Sequence, residues 1–401
     1  MATPKSPLSD TVLNMTESAT LKMAALGREA KAQGHDVIAL SLGEPDFDTP
    51  EHIKEAAKVA LDEGYTKYTP VPGYPELRQA IADKFRNENG LDYTADQIVV
   101  SNGAKQSIFN IAHALLNEGD EVIILAPFWV SYSAIVELAG GTPVPVGAGI
   151  EDDYKVSADA IAAAITDKTK FILFSSPCNP TGSVYTGDEL SAIARMLVRF
   201  PDVYVVSDEI YELINFTGEH ASIGACPEVK DRTITVNGFA KGFAMTGWRL
   251  GYMGAPLEIA KACTKLQGQS TSGANSIAQR AGLHALTTSL APSHAMKDAF
   301  AKRRELIIGG LKKIEGLKVN HPQGAFYLFP DVSAFFGKSA GGSTINDSDE
   351  LAEYLLTSAH VATVGGSSFG APDCLRISYA ASEEQLTEAI ARITKALGEL
   401  K

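Results

Sequence analysis

Five short segments place residues capable of chemistry directly after runs of apolar and β-branched residues. The runs cover residues 97–100, 121–125, 170–174, 203–206 and 233–236, and helix-like patterns separate them along the chain. In an open α/β sheet, ligands bind beyond the carboxyl ends of the strands. We therefore expect the residues that follow these five runs to lie around one crevice.

The segment after the first run could bind a phosphate group. It contains Gly103, Ala104 and Lys105 and leads into a helical pattern over residues 104–116. Small residues at a helix N-terminus expose amide N–H groups and the positive end of the helix dipole, which suits an anion. The alternative is an ordinary tight turn between a strand and a helix, and neither GxGxxG nor a complete GxxxxGK[ST] motif occurs.

The next two segments could contact a planar ring. Trp129 follows the second run and could stack on such a ring, although a single tryptophan in such a place is more often an aromatic residue of the core or rim. Asn179 lies in a Pro- and Gly-containing stretch, residues 175–182, after the third run. That composition is typical of a turn, but the Asn179 amide would still point into the same crevice.

The last two segments could supply an acid and an amine. Asp208, with Tyr211 three residues later, follows the fourth run, and its carboxylate could keep a ring nitrogen protonated or simply cap a turn. Lys241 follows the fifth run among small apolar residues, where partial desolvation would lower its pKa and make it an amine nucleophile. A single lysine is more often a surface residue. Five such segments together nevertheless match what pyridoxal phosphate requires of a protein.

The stretch GFAKGFAMTGWRLG, residues 238–251, resembles the lysine-attachment signature of class I aminotransferases of fold type I. The whole chain resembles their subgroup Ib, the bacterial aspartate aminotransferases. Further matching motifs occur in family order: LGEPDF at 42–47, Lys67-Tyr68, Pro72-Gly73, NPTG at 179–182, DEIY at 208–211 and RIS at 376–378.

This resemblance implies pyridoxal 5′-phosphate as the cofactor and a role for each matching residue. Lys241 would bind the cofactor covalently and move the substrate proton, Asp208 would keep the ring nitrogen protonated, and Tyr211 would hydrogen-bond the ring oxygen. These three form the expected catalytic set. The expected cofactor-binding set is Gly103, Ala104, Lys105, Trp129, Asn179, Asp208, Tyr211, Lys241, Arg249 and Tyr68, the last reaching across the interface of a homodimer.

The resemblance also implies which residues bind the substrate. Arg376 would bind the α-carboxylate through two parallel hydrogen bonds, a task that suits a planar guanidinium. Lys105 would bind a distal carboxylate. The remaining members of the expected substrate-binding set are Gly43, Trp129, Asn179, Ser18 and Thr20.

The activity implied is transfer of an amino group between L-aspartate, or another amino acid, and 2-oxoglutarate by a ping-pong mechanism. Alternatives are a prephenate/glutamate or aromatic aminotransferase, or a pyridoxal-phosphate lyase of the same fold. A non-catalytic regulatory relative is a further alternative, which the presence of Lys241, Asp208 and Arg376 disfavours.

Composition limits the partners and the compartment. The 401 residues have a net charge of −13, which disfavours binding to nucleic acid or to an anionic membrane surface. Four cysteines without a CxxC pair indicate neither a metal site nor a disulfide framework, and no apolar run is long enough for a membrane span. We expect a cytoplasmic homodimer whose partners are small amino acids and 2-oxo acids.

The order of the patterns predicts an α/β fold of the fold type I class. A large domain at 49–292 would contain a mostly parallel sheet flanked by helices. Residues 1–48 would form an N-terminal arm and part of a smaller α+β domain, which residues 293–401 would complete. Helical patterns at 15–33, 293–314 and 383–399 and strand patterns near 324–330 and 374–379 lie in this smaller domain.

Overall fold

The structure is a computed structural model that describes residues 6–15 and 17–401. The first five residues of the predicted 1–48 segment, and Thr16 within it, lie outside the described residues. The helices, in chain order, are α1 (Asp10–Asn14), α2 (Ala19–Ala32), α3 (Glu51–Asp62), α4 (Pro75–Asn89), α5 (Ala104–Leu115), α6 (Ser131–Leu138), α7 (Ala158–Ala164), α8 (Gly187–Leu197), α9 (Leu257–Ser270), α10 (Ser276–Thr287), α11 (Ala291–Leu311), α12 (Ser348–Ala359) and α13 (Glu383–Glu399).

The strands fall into one large sheet and several small ones. In chain order they are β1 (Ile38–Ala39), β2 (Ile98–Ser101), β3 (Glu121–Ala126), β4 (Thr142–Gly147), β5 (Thr169–Ser175), β6 (Tyr204–Asp208), β7 (Thr233–Gly238), β8 (Gly251–Gly254), β9 (Tyr327–Leu328), β10 (Ser339–Ala340), β11 (Ser343–Thr344), β12 (Val361–Ala362), β13 (Val364–Gly365) and β14 (Leu375–Ser378).

The large sheet has seven strands in the order β2-β8-β7-β6-β5-β3-β4. Strand β8 is antiparallel to both its neighbours, and the other pairs in the sheet are parallel. The predicted mostly parallel sheet is therefore confirmed. All five predicted strand runs lie in it. They share one direction, because β8 reverses the chain between β2 and β7, so the segments singled out above follow strands that end at the same edge.

Helices cover both faces of this sheet, which explains why its strands are continuously apolar. Alternate residues of β3 separate into two layers. Val122 and Ile124 pack with α5 and α9 on one face, while Ile123 and Leu125 pack with α8 on the other. Local signals also set the helix ends: α4 begins with Pro75 and is capped after Asn89 by Gly90, whose φ of 67° lies in the left-handed region.

The remaining elements form a second layered unit from both ends of the described chain. Strands β13, β14 and β9 make an antiparallel sheet, and helices α11, α12 and α13 pack together beside it. Strand β1 pairs in parallel with β12, with Ile38 opposite Val361, so a segment near the N-terminus joins the C-terminal elements. The domain boundaries at 48/49 and 292/293 stay predictions.

One strand is shorter than the sequence predicts. The strand expected near 324–330 is confined to β9, although the backbone oxygens of Phe326 and Pro330 on either side accept hydrogen bonds from the amides of Tyr379 and of Leu375 in β14. Within the described chain, no helix combines the length and the apolar character needed to cross a bilayer.

Candidate active site

A cavity of about 370 Å³ opens at the carboxyl ends of β5, β6 and β7. Ser175 and Asp208 end β5 and β6, and Lys241 follows β7 by three residues. The structure brings thirteen of the fourteen predicted site residues to the wall of this cavity. They are Ser18, Thr20, Gly43, Gly103, Ala104, Lys105, Trp129, Asn179, Asp208, Tyr211, Lys241, Arg249 and Arg376.

One end of the cavity is formed by the N-terminus of α5. The first amides of a helix have no partner inside it, so those of Ala104 and Lys105 are available to a ligand. Gly103 has a φ of 85°, and a Cβ added there would lie 2.8 Å from Nη2 of Arg249. A Cβ on Gly251 would overlap the amide nitrogen of Ala104. The two glycines thus let the backbone and a guanidinium meet around a space suited to an anion.

Asp208 lies at the base of the cavity and is 4% exposed. Its Oδ1 accepts a hydrogen bond from the amide of Ile210 at 3.2 Å, and its Oδ2 accepts one from the hydroxyl of Tyr132 at 2.7 Å. Burial raises the pKa of Asp208 to about 6, against the opposing effect of these two hydrogen bonds. A carboxylate in this environment gains from a cationic N–H partner in the cavity.

Lys241 lies in a similarly dehydrated environment. Burial and then the positive charge of Arg376 lower the pKa of Lys241 to about 8. Its Nζ donates to the backbone oxygen of Gly43, and it lies 5.7 Å from the ring centre of Tyr211. A substantial fraction of this amine is therefore neutral near pH 8, the form in which it acts as a nucleophile or base.

Arg376 is a fully enclosed cation on β14, 1% exposed. Its Nη1 donates to Oδ1 of Asn179 at 3.0 Å, and its Nη2 donates to the backbone oxygen of Ser41 at 2.6 Å. Within the described residues its Nε has no hydrogen-bond partner. Its guanidinium also lies 4.8 Å from the ring centre of Tyr327. The side chain is held in place yet retains capacity to bind an anion.

Lys105 and Trp129 lie side by side on the cavity wall. The Lys105 Nζ lies 4.8 Å from the centre of the Trp129 ring, a cation–π arrangement. Burial, followed by repulsion from Arg249, lowers the pKa of Lys105. Ser18 and Thr20 approach from the start of α2, and Thr20 Oγ1 is a buried hydroxyl with no hydrogen-bond partner in the described part of the chain.

Tyr68 is the predicted site residue that the cavity of this chain does not include. It is 98% exposed in the loop between α3 and α4. A tyrosine so fully exposed has lost almost none of its surface to the packing of its own chain. Its predicted role across a homodimer interface stays a prediction.

The cavity also contains side chains that the sequence reasoning missed. Tyr132 bonds to Asp208, and Tyr327 shares a 2.7 Å hydrogen bond with the hydroxyl of Tyr211. Glu44 Oε2 accepts from the Thr246 hydroxyl at 3.1 Å. Glu44 and Thr246 belong to the motifs quoted above, so their positions carried a signal, whereas Tyr132 and Tyr327 lie outside all of those motifs.

A second polar cluster lies behind Asp208 and outside the cavity. Glu209, Glu212 and His220 place one ligand atom each within 4.8 Å of one another, which is compatible with a metal ion. Lys84 forms an ion pair with Glu212 there, and Asn89 donates to Glu212 at 2.8 Å. An ammonium group thus already supplies a cation to this cluster, and we assign it no metal.

The cavity residues fit a planar, phosphorylated heterocycle. The α5 N-terminus and Arg249 suit a phosphate, Trp129 suits the face of a ring, and Asp208 suits a protonated ring nitrogen. Lys241 supplies an amine for covalent attachment. Each of these groups is on the wall of the same cavity.

Comparison with known proteins gives consistent matches over nearly the whole chain. The family model described as "Aminotransferase class I and II" matches residues 35–393. An aspartate/prephenate aminotransferase of Cereibacter sphaeroides is 48% identical over 389 residues, 96% of this chain and 97% of that protein.

Solved structures match equally well. The aspartate aminotransferase of Rhizobium meliloti has a TM-score of 0.95 at 42% identity, covering 99% of this chain and all of the other. That of Thermus thermophilus with maleate has a TM-score of 0.92 at 46% identity, covering 98% and 100%. These matches confirm the fold class predicted from the motifs.

Proposed function

The chain belongs to the class I and II aminotransferase family, and from this premise we propose that it transfers the amino group of L-aspartate to 2-oxoglutarate. One observation carries the proposal. A single cavity holds a lysine of lowered pKa, a buried carboxylate, and two cations, Arg376 and Lys105, suited to the two carboxylates of a dicarboxylic amino acid.

Pyridoxal 5′-phosphate is the cofactor we propose for this cavity. When bound, it supplies the carbonyl that carries the amino group and a ring that withdraws electrons from the substrate's Cα. The amides of Ala104 and Lys105, with Arg249, would hold its phosphate beside Gly103. The other proposed cofactor contacts are Trp129 on the ring face, Asp208 at the ring nitrogen, Tyr211 and Asn179 at the ring oxygen, Lys241 at the carbonyl carbon and Tyr68 of a second subunit at the phosphate.

Lys241 is the residue we propose to move the proton. Its Nζ is neutral to a useful extent near pH 8 because burial disfavours the ammonium form. It can therefore take a proton from the substrate's Cα and return one, acting as base and then as acid. The Gly43 carbonyl that accepts its hydrogen bond orients the Nζ atom.

Arg376 and Lys105 divide the binding of the substrate. Arg376, fixed by Asn179 and Ser41, would take the α-carboxylate, with Gly43 beside it. Lys105 would take the distal carboxylate, assisted by Ser18 and Thr20. The related aspartate aminotransferase of Thermus thermophilus was solved with maleate, a dicarboxylate, which supports a site for two carboxylates.

Prephenate is a second candidate substrate for the same site. The related protein of Cereibacter sphaeroides is named an aspartate/prephenate aminotransferase. The buried Thr20 hydroxyl, without a hydrogen-bond partner in the described chain, is free to serve the polar groups of a larger dicarboxylate beside Lys105. Prephenate is itself a dicarboxylate, so it would engage Arg376 and Lys105 in the way proposed for aspartate.

We further propose that the active unit is a cytoplasmic homodimer. Support for the dimer comes from Tyr68, which is exposed although its motif matches the family. Equal amounts of Lys241→Ala and Tyr68→Ala chains are refolded together, so that about half of the dimers are hybrids. Each hybrid dimer has one site free of both changes, so about a quarter of all sites should be intact and active. Failure to regain any activity would contradict the shared site. The four unpaired cysteines support a reducing compartment.

A half-reaction screen tests the proposed function. Purified protein loaded with pyridoxal phosphate is mixed with single amino acids, and conversion to pyridoxamine phosphate is followed by absorbance. We expect rapid conversion by aspartate and glutamate, slow conversion by alanine, and none with Lys241→Ala. Equal conversion by all amino acids would remove the dicarboxylate assignment. Release of ammonia or a thiol without pyridoxamine phosphate would identify a lyase instead.

A further inference from the structure

The hydroxyl of Tyr132 makes the shortest hydrogen bond to the Asp208 carboxylate among the described residues. The distance from Tyr132 Oη to Asp208 Oδ2 is 2.7 Å, against 3.2 Å from the Ile210 amide to Oδ1. Tyr132 is completely buried. Each carboxylate oxygen therefore has one protein donor, and each keeps lone-pair capacity for a ligand.

The start of α6 brings this tyrosine and the ring-stacking tryptophan to the site together. The amide of Tyr132 donates to the backbone oxygen of Trp129 at 2.9 Å, so the chain turns tightly between them. Their rings lie 5.5 Å apart at an angle of 89°. One tight turn thus presents Trp129 to the cavity and directs the Tyr132 hydroxyl at Asp208.

We propose that Tyr132 is a positioning residue that holds the Asp208 carboxylate ionised and oriented toward the cofactor's ring nitrogen. This inference rests on the proposed function, which gives Asp208 its role at the ring nitrogen. Tyr132 itself makes no proposed contact with substrate or cofactor and would act through Asp208.

The electrostatic surroundings explain why such a donor is needed. Burial raises the pKa of Asp208, and the Tyr132 hydrogen bond is the largest of the effects that lower it. Burial also keeps the pKa of Tyr132 well above its usual value, so the hydroxyl remains a donor. The other titratable groups near this pair are Glu209, Lys241, Tyr211 and Cys178. Of these, Glu209 raises the pKa of Asp208 and Lys241 lowers it.

The alternative is that Asp208 merely satisfies a buried hydroxyl. In that case, removing the Tyr132 hydroxyl would change stability without changing how the site binds the cofactor. Tyr185 offers a matched control, because its hydroxyl is also buried but bonds to the backbone of Val156. Tyr132→Phe and Tyr185→Phe remove the same atom from comparable environments.

The experiment measures pyridoxal phosphate affinity of the apoprotein by fluorescence quenching, the pH profile of kcat/KM, and thermal stability. Tyr132→Phe should weaken cofactor affinity about tenfold and shift the acidic limb of the profile upward by about one pH unit, since a hydrogen bond to a charged group is lost. Tyr185→Phe should leave both unchanged.

A double-mutant cycle with Asp208→Asn separates the two interpretations. If Tyr132 acts through Asp208, the Tyr132→Phe effect on affinity should disappear in the Asp208→Asn background. Any of three results would overturn the proposal. Tyr132→Phe could leave the acidic limb unshifted, could bind pyridoxal phosphate as tightly as Tyr185→Phe does, or could weaken binding just as much in the Asp208→Asn background. Failure of the wild-type protein to bind pyridoxal phosphate would instead reject the proposed function.

Discussion

Asn179 Oδ1 accepts a hydrogen bond from Arg376 Nη1 at 3.0 Å, and this bond joins the two halves of the structure. Asn179 lies in the turn after β5 of the large sheet, whereas Arg376 lies on β14 of the C-terminal sheet. The second anchor of Arg376, the backbone oxygen of Ser41, belongs to the segment that follows β1. Three distant stretches of chain thus converge on one guanidinium, so its position depends on the complete fold.

Replacing Arg376 with lysine should impair every amino acid substrate. Lysine keeps the charge but cannot reach Asn179, Ser41 and a carboxylate with one planar group. Losing hydrogen bonds to a charged group costs about 1.5–3 kcal/mol, so kcat/KM should fall roughly 10- to 100-fold for aspartate and alanine alike. Steady-state kinetics with both donors measure this. The surface variant Arg392→Lys is the control, and a loss limited to aspartate would contradict the α-carboxylate role.

Replacing Lys105 with alanine should change specificity rather than general activity. The Lys105 ammonium lies against Trp129 in the cavity, where we propose that it binds a distal carboxylate. We expect KM for aspartate and glutamate to rise about 10- to 100-fold while KM for alanine changes far less. The exposed α9 variant Lys265→Ala provides the control. Equal increases for all three substrates would remove Lys105 from side-chain recognition.

The parallel strands were predictable because burial on both faces demands continuous apolar runs, as in β3 and β5. Strand β4 escaped prediction because Pro143 and Pro145 interrupt its pattern. It lies at the edge of the sheet, where missing amide donors are tolerated. Strand β8 escaped because it is short and has glycine at both ends.

The site was predictable where its residues immediately follow strands, and less so elsewhere. Asp208 ends β6, and Lys241 and Asn179 follow β7 and β5 within a few residues, so the sheet brings them together. Tyr327 comes from a two-residue strand and meets Tyr211 across 116 positions of sequence. Such a contact depends on how the C-terminal sheet packs against the large one, which no local pattern specifies.

The pKa of Lys241 should be measurable directly in the apoprotein. Trace acetic anhydride labels neutral amines, and mass spectrometry gives the labelled fraction at each pH. Because burial and Arg376 lower the pKa of Lys241, its labelling should rise with a midpoint at about pH 8, below the ordinary lysine value of about 10.4. In Arg376→Gln the midpoint should move upward. A wild-type midpoint at the ordinary value would show that the amine is not desolvated.

Removing Lys84 should destabilise the fold without touching the cavity. Burial acts to raise the pKa of Glu212, but the charge of Lys84 leads the effects that lower it overall. Lys84→Ala leaves that buried carboxylate without its cation, and breaking such a pair costs about 3–5 kcal/mol. Urea denaturation near neutral pH measures the loss, with the exposed pair variant Lys58→Ala as control.

The pair also predicts a pH dependence and a rescue. The pKa of Glu212 is lower in the folded than in the unfolded protein, so its ion pair stabilises the fold fully at pH values above the unfolded-state pKa. This stabilisation should disappear as the pH falls through the folded-state pKa. Lys84→Met combined with Glu212→Gln should recover part of the stability, since no unpaired charge remains. A double variant as unstable as Lys84→Ala would argue against an electrostatic origin.

Replacing Gly251 with alanine should damage the phosphate end of the cavity. An added Cβ would overlap the amide nitrogen of Ala104 and lie 2.9 Å from Cα of Gly103, so the start of α5 must move. Displacing binding groups by about 1 Å can cost on the order of 100-fold, and we expect pyridoxal phosphate affinity to fall by that order. Gly247→Ala is the matched control, because its Cβ would have nothing within 4 Å. Cofactor titration of both apoproteins, with their melting temperatures, decides the matter. Equal cofactor affinities of the two variants would show that the close approach of Gly251 to the start of α5 is not needed for phosphate binding.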